Sequence, residues 1–267
     1  KNESEEQFSD RLASELENLI LKEGPETVAA FFAEPVMGAG GVIIPPKSYF
    51  PKVQEVLEKY DILLVADEVI CGFGRTGNMW GSETFNIKPD IVTAAKALSS
   101  AYLPISAVII SEKVYGPIKD QANELGIFGH GYTYSAHPVC AAVAMKAQQI
   151  MIDRNIIENV KQLSKLFNER IQNIKNNSWF LSHSRSVGLI GAVEFGYEGN
   201  KKFDIKNKIA AKCAKIIQEN GVILRALPGD IIGFCPPLII KEEQINEMFD
   251  KIDIAFKSFD QMAFNLK

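Results

Sequence analysis

The chain has 267 residues, of which 46% are hydrophobic, and carries a formal net charge of −4. That is enough apolar sequence for one large or two modest domains with a buried core. The acidic balance offers no basic surface for nucleic acid, and no apolar run is long enough to predict a membrane span or a secretory signal. The 4 cysteines are isolated and the 3 histidines lack metal-ligand spacing, so we expect a reduced, cytoplasmic protein without disulfides or a metal site.

The first half of the chain alternates predicted helices and strands. The spacing of apolar residues predicts helices over residues 8–21 and about 48–60. Short apolar runs predict strands over residues 28–32, 62–65, 91–93 and 104–110. The run over residues 28–32 is continuously apolar, which predicts a buried parallel strand. A strand, a helix and a second strand at this spacing imply a right-handed crossover and therefore a parallel sheet.

The second half has a different pattern. A polar and aromatic loop over residues 126–138 precedes residues 139–173, which predict one long helix or two abutting helices. Further along, strands are predicted over residues 189–195, 222–224 and 231–234, and helices over residues 205–218 and 242–259. We therefore predict an α/β fold with a mostly parallel sheet sandwiched by helices. Residues 1–160 would form part of its large domain, and residues 161–267 a small C-terminal α+β domain.

Two of the predicted strands end in residues that can carry chemistry. Asp67 and Glu68 follow the strand over residues 62–65, and Lys96 follows the strand over residues 91–93 among small alanines. Parallel strands present ligand-binding residues at their carboxyl ends, so an acid and an amine can face one crevice. An amine in small, apolar surroundings can have a lowered pKa and attack carbonyls. An acid that pairs with a pyridinium nitrogen completes the minimal equipment of a pyridoxal phosphate (PLP) site. Because side chains alternate along a strand, Glu68 should face the other way and be structural.

Nucleotide-binding motifs give a weaker alternative. Residues 72–77, GFGRTG, match the G-x-G-x-x-G pattern of dinucleotide sites. That pattern should open a helix directly after its strand, whereas Asp67 and Glu68 intervene here and residues 78–81 do not predict a helix. The run ILLVADE resembles a Walker B strand, but no G-x-x-x-x-G-K-[ST] motif accompanies it. Neither interpretation is favoured.

The motifs around the two strand ends resemble a known enzyme family. The sequence DEV at residues 67–69, GFGRTG at residues 72–77 and TAAKAL at residues 93–98 resemble the signature of class III aminotransferases of PLP fold type I. The resemblance extends over residues 34–237, and within the class it is strongest to the omega-amino acid:pyruvate type. In that family, upstream residues supply a Gly-Ser loop for the cofactor phosphate and an aromatic ring that stacks on the pyridine. Neither is found here, so we expect the chain to be the C-terminal part of a longer enzyme.

The resemblance assigns the cofactor residues. Lys96 would form the Schiff base with PLP and then shuttle the Cα proton, and Asp67 would keep the pyridine nitrogen protonated. Val69, on the same side as Asp67, would pack on the ring. Thr133, in the loop HGYTYSAHP, would reach the cofactor phosphate of a neighbouring subunit. A homodimer with shared active sites would then be obligatory. Arg75 is interpreted as scaffold.

The resemblance also assigns substrate residues. Arg225 stands where the family has a mobile arginine that binds the substrate carboxylate through paired hydrogen bonds. Ala39 stands where GABA- and ornithine-type members have a glutamate that pairs with that arginine. Alanine leaves Arg225 available for a small keto acid, which favours pyruvate over 2-oxoglutarate.

The function predicted is PLP-dependent transfer of an amino group from an omega-amino acid or other amine to a small keto acid, with pyruvate favoured. Two alternatives remain. A class III decarboxylase or aminomutase would begin with the same acid and amine. A non-catalytic portion of such an enzyme would lack the upstream half of the cofactor site.

Overall fold

A computed structural model describes residues 3–198 and 201–267 of the chain, which forms two compact units. The first unit contains the residues up to 35, residues 45–73 and residues 79–154. The second contains residues 36–44, residues 74–78 and the residues from 155 onward. The predicted domain boundary after residue 160 stays a prediction. The compact units part after residue 154 and place two short segments of the first half in the second unit.

The first unit has a four-stranded sheet and five helices among its described residues. Its helices are α1 (Glu5–Glu23), α2 (Tyr49–Lys59), α3 (Gly81–Thr84), α4 (Glu112–Leu125) and α5 (Pro138–Asp153). Its strands are β1 (Ala30–Ala33), β2 (Leu63–Asp67), β3 (Ile91–Ala94) and β4 (Ala107–Ile110). They lie in the order β1-β2-β3-β4, with β1, β2 and β3 parallel and β4 antiparallel to β3. The mixed α/β class with a parallel-containing sheet is therefore confirmed.

Helix α1 begins with a reciprocal cap and packs through one face. The Ser4 hydroxyl accepts a hydrogen bond from the Gln7 N–H at 3.2 Å, and the Gln7 side chain accepts one from the Ser4 N–H at 3.0 Å. This capping box satisfies two backbone donors that the helix itself leaves unpaired. The buried side chains that form the core of this unit come from α1, α2, β2 and the residues flanking the strands: Ile20, Phe50, Val53, Leu57, Ile62, Leu64 and Ile87.

Strand β1 is parallel, as predicted, but it is not buried on both faces. Phe31 packs against the core of the first unit, whereas Phe32 is 69% exposed. Successive side chains of a strand point to opposite faces, so the continuous apolar run serves a sheet of which only one face is covered here. Val108 on β4 is similarly 67% exposed. The expectation of a buried strand over residues 28–32 is therefore wrong for this chain.

The second unit has an antiparallel sheet and three α-helices among its described residues. Its elements are α6 (Ile156–Asn176), β5 (Leu181–Val187), β6 (Ile190–Phe195), α7 (Ile209–Glu219), β7 (Arg225–Leu227), β8 (Ile231–Phe234) and α8 (Glu242–Asn265). The strand order is β5-β6-β8-β7, and every neighbouring pair is antiparallel. The strand predicted over residues 222–224 instead begins at Arg225.

The second unit is held by a large aromatic and aliphatic core. Phe167 on α6 and Phe249 on α8 lie with ring centroids 5.9 Å apart, and Phe249 stacks on Phe234 of β8 at 5.7 Å. All three rings are fully buried. Burial of each such side chain contributes about 1.5–3 kcal/mol to the free energy of unfolding. This core joins the helices to the inner face of the sheet.

The long helix predicted over residues 139–173 is two helices. Helix α5 ends at Asp153 and α6 begins at Ile156. Asn155 between them has a φ of 50°, in the left-handed region that asparagine tolerates better than most residues. The helical hydrogen-bond ladder is interrupted there, and the two compact units part at the same place.

Arg75 of the GFGRTG motif is anchored within the second unit. Its guanidinium donates to the carbonyl oxygens of Leu189 at 2.9 Å and Pro236 at 2.6 Å, and its own carbonyl accepts from the Leu189 N–H at 3.0 Å. The scaffold role predicted for Arg75 is confirmed by these bonds. Gly188 lies against the same backbone with a φ of 56°, where an added Cβ would overlap the Arg75 carbonyl oxygen and stand 2.6 Å from the Thr76 Cα.

We predict that Gly188→Ala strongly destabilises the protein. The new methyl group would clash with the fixed backbone of Arg75, and alanine is also strained at positive φ, so the free energy of unfolding should fall by about 3 kcal/mol. Chemical denaturation measures the loss. The matched control is Gly221→Ala. Gly221 also has a positive φ, 89°, but a Cβ added there would lie 3.8 Å from its nearest described neighbour, the Lys251 Nζ. This variant should lose only about 1 kcal/mol. Equal losses of unfolding free energy in the two variants would contradict a clash with the Arg75 backbone as the cause.

Candidate active site

The ends of β2 and β3 lie side by side. In the parallel pairing of these strands Asp67 is the partner of Thr93, and the Glu68 N–H donates to the Thr93 carbonyl at 2.9 Å. Lys96 follows three residues after Thr93. The structure thus brings the predicted acid and the predicted amine to the carboxyl ends of neighbouring strands, as the sequence indicated.

The Asp67 carboxylate accepts a local hydrogen bond from the backbone. Its Oδ1 accepts a hydrogen bond from the Val69 N–H at 3.0 Å, and both residues are half-buried. A carboxylate has about four acceptor positions, so this bond leaves capacity for another donor. The bond also orients the carboxyl group relative to the backbone that follows β2.

Glu68 faces the opposite side and is fully buried. Its carboxylate accepts hydrogen bonds from the Gly81 N–H at 2.9 Å, the Ser82 N–H at 2.6 Å and the Ser82 hydroxyl at 2.5 Å. These donors belong to the first turn of α3, so Glu68 ties the end of β2 to that helix. The structural role predicted for Glu68 is confirmed. An added Cβ at Gly81 would stand 2.6 Å from the Cys71 Cβ, so the packing around this carboxylate is tight.

Lys96 occupies an unusual backbone conformation. It begins a short 3-10 turn, Lys96–Leu98, and has a φ of 45°, which is uncommon for any residue with a side chain. Ala94 is buried and Ala95 and Ala97 are half-buried, but Lys96 is exposed. The expectation that small apolar neighbours enclose the amine is therefore wrong for this chain.

A strained backbone is a feature that the sequence pattern did not reveal at this position. Left-handed conformations of residues other than glycine cost about 1–3 kcal/mol and concentrate at functional sites.

Thr133 lies in an exposed segment between α4 and α5. Every residue over 127–137 is exposed, including Phe128, Tyr132 and Tyr134. The only hydrogen bonds described within it join Tyr132 and Ser135, through the Ser135 N–H at 2.9 Å and the Ser135 hydroxyl at 3.2 Å. The long loop predicted here is confirmed, and the contribution of Thr133 to a phosphate site stays a prediction.

The predicted substrate residues belong to the second unit. Arg225 is exposed at the start of β7, and Ala39 is exposed in the loop over residues 36–44. An isolated bridge between Met37 and Ile43 closes that loop. Whether Arg225 and Ala39 act on one substrate stays a prediction.

A further arginine fixes the loop that carries Ala39. The Arg185 guanidinium donates to the carbonyl oxygens of Gly41 at 2.6 Å and Val42 at 2.8 Å, and to Glu194 at 3.0 Å. Burial raises the pKa of Glu194, but hydrogen bonds from Lys202 and Arg185 outweigh it and leave the pKa lowered. Glu194 is therefore ionised near neutral pH and keeps Arg185 in place. Sequence reasoning missed Arg185, because nothing local to β5 indicates a partner so distant in the chain.

Metal-binding and membrane-spanning features are both absent from the described residues. Over residues 3–198 and 201–267, no group of three or more His, Cys, Asp or Glu side chains is arranged to hold a metal ion. Over the same ranges, no helix has the length and hydropathy needed to cross a membrane.

Comparison with known proteins identifies the family. The family model "Aminotransferase class-III" matches residues 1–256, so the chain belongs to that family. The family resemblance inferred from the motifs is thereby confirmed, and PLP is the cofactor of class III aminotransferases.

The similar proteins are transaminases. Two are from Solanum lycopersicum: "Gamma aminobutyrate transaminase 3, chloroplastic", 50% identical over 99% of this chain and 51% of its own length, and "Gamma aminobutyrate transaminase 1, mitochondrial", 49% identical over 99% and 52%. The chain thus spans about half the length of the curated relatives it matches. Among solved structures, "Transaminase with L-ala" has a TM-score of 0.94 and 47% identity, over 98% of this chain and 62% of that one. An omega transaminase from Pseudomonas jessenii in complex with PMP also has a TM-score of 0.94, with 44% identity, over 98% and 58%.

The residues at the strand ends fit PLP. An exposed amine at Lys96 can bond the cofactor aldehyde, and a half-buried carboxylate at Asp67 with acceptor capacity to spare can pair with the pyridinium nitrogen. Val69 supplies an apolar side chain beside Asp67. The donor set has the chemistry that the cofactor needs at its aldehyde and its ring nitrogen.

We predict that Glu68→Gln destabilises the first unit. The amide would place an NH2 group against donors that now bond a carboxylate, so the free energy of unfolding should fall by about 3 kcal/mol. The control is Glu83→Gln. Glu83 is exposed and accepts the Trp80 N–H at 2.9 Å, and water can replace that bond. Its loss should be much smaller. A Glu68→Gln protein with the denaturation midpoint of the parent would contradict the proposed anchoring of β2.

Proposed function

We propose that this chain carries the catalytic lysine of a PLP-dependent aminotransferase that moves an amino group from an omega-amino acid or related amine to a small keto acid. The observation that carries the proposal is the adjacency of Asp67 and Lys96 at the ends of β2 and β3. Membership of the class-III aminotransferase family supports it.

The two strand-end residues have different tasks. When bound, PLP acts as an electron sink for the carbanion formed at the amine-bearing carbon. The Lys96 amine would hold the cofactor through its aldehyde and would move a proton at that carbon of the substrate. The Asp67 carboxylate keeps the ring nitrogen protonated, because a nearby negative charge stabilises the cationic form. Val69 would supply an apolar side chain for the ring.

The amine donor is proposed from the names of the relatives. Both tomato proteins are gamma-aminobutyrate transaminases, so 4-aminobutyrate is the first donor to test. A donor of this kind carries its amine far from its carboxylate. It would therefore place its carboxylate away from the reacting centre at Lys96.

The acceptor is proposed to be pyruvate. Ala39 cannot form an ion pair with Arg225, so the guanidinium is available for a keto acid carboxylate through two charge-assisted hydrogen bonds. In support, Arg225 is exposed and makes no ion pair with any residue in the described part of the chain. The similar structure named "Transaminase with L-ala" pairs such an enzyme with L-alanine, the amino acid that pyruvate yields in this reaction.

A homodimer with shared active sites is part of the proposal. The segment over residues 127–137 exposes Phe128, Tyr132 and Tyr134 together with Thr133. Side chains of this kind are enriched in protein interfaces. The Thr133 hydroxyl would bind the cofactor phosphate of the neighbouring subunit, which makes two chains necessary for each complete site.

Two alternative functions and one alternative location remain. A decarboxylase or aminomutase would use Asp67 and Lys96 in the same way, and a non-catalytic chain would not bind the cofactor.

A cytoplasmic location is also proposed, from the isolated cysteines. The tomato relatives are named chloroplastic and mitochondrial, so an organelle is the competing location.

We predict that borohydride traps PLP on Lys96. Purified protein incubated with PLP and then reduced should gain the mass of the reduced cofactor on the peptide that contains Lys96, as measured by mass spectrometry. Lys96→Ala should abolish this modification and lower the transamination rate by about a thousandfold or more. The control is Lys88→Ala, which removes an exposed lysine from the same unit. Trapping spread equally over surface lysines would contradict the proposal.

We predict that Arg225→Met raises the KM for pyruvate by about 10- to 100-fold, because a bidentate bond to a carboxylate is lost. An aldehyde acceptor without a carboxylate is the control and should be used as well as before. Ala39→Glu should have the same effect through a new ion pair with Arg225, and Ala39→Gln should not. An equal loss with both acceptors would assign Arg225 a structural role instead.

A further inference from the structure

The turn that carries Lys96 is strained over several residues. Lys96, Ser100 and Ala101 have φ angles of 45°, 51° and 62°, all in the left-handed region and none of them glycine. Such conformations persist only where the surroundings impose them.

The turn's own backbone supports it mainly through long hydrogen bonds. The Ser99 N–H and the Ala101 N–H both donate to the Lys96 carbonyl, at 3.2 Å and 3.3 Å, and the Ser100 N–H donates to Ala97 at 3.2 Å. These three distances lie at or beyond the long end of the usual range for N–H···O bonds. The Leu98 N–H adds one bond of ordinary length, 3.0 Å, to the Ala95 carbonyl. The buried Ser99 hydroxyl adds a shorter bond of 2.6 Å to the Leu103 carbonyl.

A side chain from α5 supplies the remaining support. The Gln148 amide nitrogen donates to the carbonyl oxygens of Ala97 at 3.0 Å and Leu98 at 2.9 Å. A glutamine amide has two N–H donors, and both have partners in this turn. Gln148 lies on the face of α5 that also buries Ala144 and Met151, four residues before it and three after it. Packing of that face therefore fixes the amide against the turn.

We propose that Gln148 is a positioning residue for the reaction. Its two hydrogen bonds hold the turn Lys96–Leu98 in the conformation that begins with a left-handed φ at Lys96. They thereby fix the position of the Lys96 amine relative to the end of β2. The catalytic consequence rests on the proposed function of Lys96. The effect of Gln148 on the turn itself does not.

The expected effect on rate comes from geometry. A nucleophile displaced by about 1 Å can lose about 100-fold in rate, because near-attack geometry is lost. The Lys96 side chain is exposed and flexible, so the direction of its Cα–Cβ bond, which φ and ψ of the turn fix, is the main constraint on it. Releasing the carbonyls of Ala97 and Leu98 would free the turn to relax toward unstrained angles.

Two substitutions at Gln148 and one at its neighbour test this. Gln148→Leu removes both hydrogen bonds at similar size, and Gln148→Glu places acceptor oxygens against two carbonyls. The matched control is Gln149→Leu. Gln149 is exposed on the same helix, and its side chain bonds Asp153, one turn further on, at 2.6 Å. Thermal unfolding of each variant confirms that it is folded before the comparison.

Two readouts are independent of turnover. The first is amide hydrogen exchange of residues 98–101 in protein without cofactor. Exchange should be about tenfold faster in Gln148→Leu, faster still in Gln148→Glu, and unchanged in Gln149→Leu. The second is the rate at which pyridoxal and borohydride modify Lys96, followed against pH by mass spectrometry. That rate should fall by about tenfold or more in both Gln148 variants and should not change in Gln149→Leu.

The outcomes are distinguishable. Faster exchange with an unchanged rate and pH profile of Lys96 modification would make Gln148 merely structural and overturn the proposal. Unchanged exchange in Gln148→Leu would overturn it at the first step. Failure of the parent protein to be modified selectively at Lys96 would overturn the proposed function itself, and the positioning role with it.

Discussion

The parallel pairing of β2 with β3 is the constraint on which the site depends. It sets Asp67 opposite Thr93 and is continued by the bond of 2.9 Å from the Glu68 N–H to the Thr93 carbonyl. Lys96 follows on the neighbouring strand at a fixed offset. Adjacent strands lie about 4.8 Å apart, so this pairing alone brings an acid and an amine within reach of one small cofactor. A one-residue slip would turn Asp67 to the opposite face.

Polar side chains hold the irregular backbone and the helix start that lie around the strand ends. Glu68 binds the first turn of α3, Gln148 binds the carbonyls of the Lys96 turn, and Arg185 binds the loop that contains Ala39. In each place the backbone is irregular or begins a helix, so its polar groups need partners outside a helix or sheet ladder. These polar anchors, rather than additional apolar burial, position the residues proposed to bind cofactor and substrate.

Much of the fold follows from local pattern, and most of the anchors do not. Apolar periodicity predicted the helices α1 and α2 and strands β2, β3 and β8 to within a few residues. It missed β5, whose sequence LSHSRSV is mostly polar, because antiparallel pairing with β6 rather than hydrophobicity places it in the sheet. The anchor Arg185 contacts a loop 144 residues away, and Lys96 has a left-handed backbone conformation. Neither is encoded in spacing.

A crystal structure of the protein grown with PLP would show whether the ends of β2 and β3 bind the cofactor. We expect continuous density from the Lys96 Nζ to the aldehyde carbon of the cofactor. We also expect the Asp67 carboxylate within about 3 Å of the ring nitrogen. A cofactor linked to another lysine, or a ring nitrogen that faces a group other than Asp67, would contradict the proposal that the ends of β2 and β3 form the catalytic site.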